Sequence, residues 1–329
     1  MVLSICIPSY NRGHRACELV KKLLALPYGK EGIEIVCSNN GSTKNVEGYE
    51  QIRNMKEERL VYFQFESNQG YMKNINQVLR LSRGDFALII SDEDEIVREN
   101  FQYYYNYLAI HPEISVMKAR TSKMYQNLED CYVKKGEDAL EAFYMHGNYV
   151  SGIIYNRNII TNEVVDKFES RYNENVAYQI YVHMFLDTYA LVNGNFCSSC
   201  LCLIQEGIAD ENGADRVDIG GAKEIFHYSS YQSRLQQMKG FVEQIRDMDL
   251  DKNVKRDMLV IVILKTVYLL ELVQANYIQS HGSEYWSEIM LKVCKEMKEI
   301  IAFSEISFGI QEIQILHHFI EKNTILKQY

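Results

Sequence analysis

The chain has no surplus of basic residues: 44 Asp and Glu stand against 35 Lys and Arg in 329 residues, a formal charge of −9. That balance argues against a general nucleic-acid binder, which needs a basic surface to neutralise phosphates. Long apolar runs are missing too. The most apolar stretch, Met258 to Val273, contains Lys265 and Glu271, and its unbroken part is only Met258 to Leu264. A spanning helix needs about 20 apolar residues, so this stretch reads as a buried helix of a bundle. No charged-then-apolar signal segment opens the sequence; Met1 runs directly into a core-like strand. The eight cysteines form no disulfide framework, since Cys6, Cys17 and Cys37 fall inside expected strands and helices, and a reduced, cytoplasmic setting is expected. Cys197, Cys200 and Cys202 make a C-x-x-C-x-C, but Phe196 to Ile204 reads as a strand of small and apolar residues rather than the turn-rich surroundings of a zinc site. Neither G-x-G-x-x-G nor G-x-x-x-x-G-K-[ST] follows the first strand, which weakens a dehydrogenase or ATPase reading.

What is present is strand-helix alternation. Val2 to Ile7 is a compact apolar strand broken by Pro8-Ser9-Tyr10-Asn11-Arg12-Gly13, and Arg15 to Leu26 has Leu19, Val20, Leu23 and Leu24 at helical spacing. A second strand, Ile33 to Cys37, ends in Ser38-Asn39-Asn40-Gly41-Ser42-Thr43, whose Ser and Thr can cap a following helix. A third, Val61 to Phe65, closes on Glu66 to Gly70 and leads into a helix over Tyr71 to Leu81. Then comes Asp85 to Ile90, a run with the composition of a strand buried on both faces, halted by Ser91-Asp92-Glu93-Asp94-Glu95. The alternation predicts an α/β fold with a mainly parallel sheet, the four polar loops gathering outside the carboxyl ends of its strands. Adjacent carboxylates repel, and a divalent cation relieves that cost, so Asp-x-Asp at a strand end suggests a Mg²⁺ or Mn²⁺ site open to phosphate oxygens. An acidic run can equally be a solvated loop or the first turn of a helix.

The ordered set I-P-S-Y-N-R (Ile7 to Arg12), S-N-N-G-S-T (Ser38 to Thr43), N-Q-G-Y-x-x-N (Asn68 to Asn74) and G-D-F-A-L-I-I-S-D-E-D (Gly84 to Asp94) resembles the nucleotide-sugar half of family 2 glycosyltransferases. The resemblance covers about the first 95 residues, is weaker through Tyr149 to Arg157 and fades beyond about residue 215. It implies a GT-A nucleotide-binding sheet, mixed at one edge, over residues 1–221, and the C-terminal helical bundle would then occupy 222–329. It further implies an inverting, metal-dependent transfer of a sugar from a nucleoside diphosphate, a UDP-sugar by preference, to a hydroxyl of a saccharide or lipid-linked acceptor in surface polysaccharide assembly. Carried over position by position, Pro8, Tyr10 and Asn11 line the base pocket, and Asn39 falls where many relatives have an Asp that binds the base imide. Asn68, Lys73 and Asn74 close over ribose and diphosphate. Asp94 is implied as the direct metal ligand, Asp92 as lying nearer the ribose or a metal-bound water, and Glu93 as turned to the opposite face if strand geometry continues. Glu174, just ahead of a helical run from Val176 to Leu191, is the implied general base, with Asp187 in mid-helix less suited. Apart from the resemblance, His227 between Phe226 and Tyr228 can complete a metal site from the far side of the pocket or serve as a structural residue.

Beyond Glu206 to Gly221 the pattern changes to helices over Lys223 to Met248, Val254 to Ile278, Tyr285 to Phe303 and Ile310 to Leu326. Such a bundle can serve as a homodimer interface or dock on a membrane surface at its inner face. Two other readings stand beside transfer: a nucleotidyltransferase, for which the first loop offers only Arg12, and a transferase-like binding protein without catalysis.

Overall fold

The structure, a computed structural model, describes residues 2–29, 31–144, 149–173, 176–208, 230–281 and 283–304. The expectations placed on Glu174, on His227, and on the helix from Ile310 to Leu326 lie outside these. The chain divides into two compact units, Met1–Arg171 with Tyr181–Arg216, and Tyr172–Ile180 with Val217–Tyr329.

The first unit is built on a nine-stranded sheet. Its opening strands β1 (Leu3–Ser9), β2 (Ile33–Asn39), β3 (Leu60–Gln64) and β4 (Phe86–Ile89) alternate with helices α1 (Gly13–Leu24), α2 (Val46–Asn54) and α3 (Tyr71–Leu81). After β5 (Glu95–Ile96) come α4 (Arg98–Ile110), β6 (Ile114–Thr121), β7 (Cys131–Val133), α5 (Glu137–Tyr144), β8 (Ile153–Asn156), α6 (Asn162–Tyr172), α7 (Val176–Asn193) and β9 (Asn195–Gln205). The strand order is β3-β2-β1-β4-β8-β6-β9-β5, with β7 pairing on β9. β3, β2, β1 and β4 are all parallel, β8 is antiparallel to both β4 and β6, and β6 and β9 are parallel again.

The sequence explains the parallel half. β1, β2 and β4 are buried almost throughout, and helices α1 and α3 present Leu19, Val20 and Leu23 or Ile75, Val78 and Leu79 as buried faces. Strands covered on both faces must be continuously apolar, and helices packed on them need an apolar stripe at 3.6-residue spacing. The chain moves from β1 outward to β2 and β3, then returns to the other side of β1 as β4. Such a reversal is the usual ligand position in these sheets, here beyond the carboxyl ends of β1 and β4.

The second unit holds α8 (Tyr231–Asp247), α9 (Lys252–His281) and α10 (Ser283–Phe303), which pack on one another. Met258, Leu259, Val262, Leu269, Leu270 and Val273 of α9 are buried. Among the described residues no helix is long and apolar enough to cross a membrane. Cys197, Cys200 and Cys202 all lie on β9 as free thiols, and the exposed Cys200 thiol donates to Asp130.

Candidate active site

Four loops meet beyond these strand ends, sewn together by side chains. Asn11 adopts a left-handed backbone (φ 58°), which Asn tolerates better than most residues. Its Oδ1 accepts from the amides of Thr43 (3.0 Å) and Lys44 (3.1 Å), its carbonyl accepts from Asn45, and its amide donates to Ser42 Oγ at 2.7 Å. Asn39 closes the second loop on itself, its Oδ1 accepting from Ser42 N at 3.0 Å while Nδ2 reaches the Tyr62 hydroxyl at 3.4 Å. Asn40 joins the second loop to the third, donating to Asn68 Oδ1 (2.9 Å) and Gly70 O (3.1 Å) and accepting from Gln69 N. Gly41 (φ 65°) sits where any Cβ would overlap the backbone of Ser67 and Asn68. In the first turn of α3, Asn74 Nδ2 donates to Ser9 O at 3.3 Å. Asn74 Oδ1 is buried with no hydrogen-bond partner, and Lys73 beside it is half-buried, as are Pro8 and Tyr10.

The acidic turn follows β4. Residues 91–94 form a turn closed by Asp94 N donating to Ser91 O, and the strand does not continue. Glu93 is therefore not directed to the opposite face. It shares Arg12 with Asp92: Arg12 NH1 lies 2.6 Å from Glu93 Oε2 and Arg12 Nε lies 3.0 Å from Asp92 Oδ1. Asp92, 2% exposed, also accepts from Ser9 Oγ at 2.5 Å, and Ser9 Oγ in turn meets the hydroxyl of the buried Tyr49 at 2.6 Å. Burial raises the Asp92 pKa to about 6, while Arg12 and the Ser9 hydrogen bond pull it down. Asp94, equally buried, turns toward the other half of the sheet: Oδ2 accepts from the Tyr149 hydroxyl at 2.7 Å and Oδ1 from Gly207 N at 3.0 Å. A Cβ at position 207 would overlap the carbonyl of Glu93, so only glycine brings that amide to the carboxylate.

Three groups here escape a reading of the sequence. Arg12 is visible there as a loop cation but not as the partner of Asp92 and Glu93. Tyr49 belongs to α2, which the residues from Thr43 onward announce only as a helix to come. Lys118 carries the one available signal, a charge inside the otherwise buried strand β6, where it is wholly buried.

Asp187, fully buried in α7, accepts from the Tyr155 hydroxyl at 2.5 Å, and burial holds its carboxyl well above the usual range. A carboxyl enclosed in a helix core and engaged by Tyr155 is poorly placed to take a proton from an incoming hydroxyl.

Among the described residues no three His, Cys, Asp or Glu side chains cluster as a metal cage. Asp94 nonetheless suits a hard cation. Both of its oxygens keep a second lone pair beyond the bonds just given, and Mg²⁺-like ions are commonly held by one or two carboxylates with waters and substrate phosphates completing the shell.

The family model for "Glycosyl transferase family 2" matches residues 4–160, which include all four loops. Over these residues, just under half of the chain, the protein is similar to family 2 glycosyltransferases. Its curated relatives include WcaA of Escherichia coli (strain K12), a glycosyl transferase assigned to colanic acid biosynthesis. That protein is 26% identical over 167 residues, 50% of this chain and 56% of its own. Abequosyltransferase RfbV of Salmonella typhimurium (strain LT2) is 28% identical over 115 residues, 35% of this chain and 34% of its own. The chain thus spans about half or less of the length of these relatives. The fold is that of S. aureus TarS: residues 1–349 of that protein in complex with UDP-GlcNAc align with a TM-score of 0.67 at 16% identity, covering 99% of this chain and 88% of that one. TarS 1–349 without that ligand aligns at 0.63, covering 98% and 89%.

Proposed function

We propose that the protein is an inverting, metal-dependent glycosyltransferase that moves a sugar from a nucleoside diphosphate, UDP by preference, to a hydroxyl of a saccharide or lipid-linked acceptor. The observation that carries this reading is the buried Asp92–Asp94 turn at the reversal of strand order, ringed by amide-rich loops. The Asn74 Oδ1 without a partner fits a ribose hydroxyl donor, and the amino end of α3 with Lys73 fits a diphosphate. The name of WcaA, with its colanic acid biosynthesis, supports a role in surface polysaccharide assembly, that of RfbV supports sugar transfer, and the UDP-GlcNAc bound to TarS supports a uridine donor.

Within this reading Asp94 would hold the cation, and a bound Mg²⁺ or Mn²⁺ supplies charge that stabilises the departing diphosphate. Arg12 keeps the neighbouring Asp92 and Glu93 neutralised, so the turn remains folded before any ligand arrives. Asn11, Asn39 and Asn40 fix the loop walls between which the base and ribose lie. Glu174 remains our choice for the base that takes the acceptor proton.

The test is a thermal melt with Mn²⁺ alone, Mn²⁺ with UDP and Mn²⁺ with GDP, using wild type and Asp94→Ala. A ligand that binds only the native state raises the melting temperature, by about 2.7 kcal/mol of stability at 100 times its Kd. We expect a shift with Mn²⁺ and UDP that Asp94→Ala loses. No shift with any nucleoside diphosphate would favour the non-catalytic reading, and an unchanged shift in Asp94→Ala would remove Asp94 from the site.

A further inference from the structure

Lys118 is 0% exposed in the middle of β6, a position where an ammonium costs several kcal/mol to desolvate and a methionine would fill the same space. Its Nζ donates to the carbonyl of Tyr149 at 2.6 Å and to that of Ser151 at 2.9 Å, and it lies 4.5 Å from the ring centroid of Tyr125. The two remaining carbonyls of this tetrapeptide are taken by backbone amides, Val150 O by Ile153 N and Gly152 O by Ala119 N. Every carbonyl from 149 to 152 is therefore fixed, the odd-numbered pair by one side chain. The same tetrapeptide supplies two side chains to the acidic turn. The Tyr149 hydroxyl donates to Asp94 Oδ2 at 2.7 Å, and Ser151 Oγ accepts from Ser91 N at 2.9 Å.

We propose that Lys118 is a positioning residue for the acidic turn: by clamping the carbonyls of Tyr149 and Ser151 it sets the hydroxyls that orient Asp94 and anchor Ser91. It touches neither substrate nor cation and acts through Tyr149 and Ser151. The inference rests on the reading of Asp94 as the cation-binding carboxylate of a glycosyltransferase. Residues that orient a metal ligand typically contribute about 10- to 100-fold to metal affinity.

The experiment compares full-length wild type, Lys118→Met, Tyr149→Phe and the double variant. It measures the Mn²⁺ concentration that gives half of the UDP-induced melting shift, together with the melting temperature without ligands. Lys118→Met is expected to melt no lower than wild type yet need about 10-fold more Mn²⁺. If it acts through Tyr149, the double variant will need no more Mn²⁺ than the worse single one, because effects within one chain of contacts are not additive. An unchanged Mn²⁺ midpoint in Lys118→Met, or single effects that multiply in the double, overturns the inference. Should Lys118→Met fail to fold, Tyr149→Phe and Ser151→Ala decide: each must raise the midpoint, and no change in both overturns it. A wild type without any Mn²⁺-dependent UDP shift refutes the functional reading itself and this inference with it; a normal wild-type shift reached at the same Mn²⁺ midpoint in Lys118→Met refutes the inference alone.

Discussion

Replacing Arg12 by Gln removes the cation that Asp92 and Glu93 share while keeping much of the side chain's bulk. Breaking a fully buried ion pair costs about 3–5 kcal/mol, and an exposed one about 0.2–1 kcal/mol. Here the Arg12 side chain is 30% exposed, Glu93 12% and Asp92 0%, so solvent screening places the loss between those limits, at about 2 kcal/mol. The pH dependence follows from Asp92. Burial raises its pKa from 3.8 to about 6, so between these values the native state keeps a proton that the unfolded chain has lost. Stability contributed by this group accordingly falls as pH rises through that window. Without Arg12 the native pKa climbs further, and the penalty extends past neutrality. The deficit of Arg12→Gln relative to wild type is expected to be about 2 kcal/mol at pH 8 and about 1 kcal/mol at pH 5, where Asp92 is already largely protonated and only the Glu93 pair is lost. Urea unfolding followed by circular dichroism at the two pH values measures both figures. A deficit that is equal at pH 5 and pH 8, or absent at both, would refute the assignment of Arg12 as the counter-ion of Asp92.

Other expectations concern the loops and the clamp. Asn11→Gly keeps the left-handed backbone but loses the bonds to Thr43 and Lys44, at about 1 kcal/mol, because both amides belong to exposed residues. Asn11→Ala adds about 1 kcal/mol of backbone strain, and equal urea midpoints for the two variants would dismiss the strain. Gly207→Ala forces its backbone off Glu93 and is expected to cost about 1–3 kcal/mol while weakening Mn²⁺-dependent UDP binding; a neutral melt would contradict the close approach. For Lys118, burial lowers the pKa from 10.5 to about 7, against the pull of Asp187, Glu206 and Asp94. Above pH 7 the unfolded chain then holds a proton that the native state has shed, so stability rises with pH. Wild type minus Lys118→Met should gain on the order of 2 kcal/mol between pH 7 and pH 9, read by urea unfolding, and a flat difference would show that the ammonium is not penalised.

Local pattern was enough to read the framework. The α3 boundaries expected from Ile75, Val78 and Leu79 match the structure, and β1, β2 and β3 lie within two residues of their expected limits. Such elements are set by periodicity within a dozen residues, and that information is contiguous in the chain. The acidic motif was legible as a strand end for the same reason. What the carboxylates do there was not, because their partners are remote: Asp92 meets Ser9 from 83 positions away, and Asp94 meets Tyr149 from 55 and Gly207 from 113. The placement of Glu93 failed on a local point, since extrapolating strand alternation past Ile89 ignored the turn that Ser91 and Asp94 close. α2 shows an intermediate case: a helix after Thr43 is expected, but it begins at Val46 behind Asn45 with no Ser or Thr side chain capping it, and Tyr49 becomes informative only once α2 packs on α1 and brings a hydroxyl to Ser9.

The stitching of Asn40 to Asn68, Gln69 and Gly70, with Gly41 pressed on the Ser67 backbone, makes the walls after β2 and β3 one solid part rather than two adjustable fingers. If the proposed function holds, donor preference engineered by transplanting either wall alone would leave mismatched halves, so such a chimera must exchange residues 38–43 and 66–70 together.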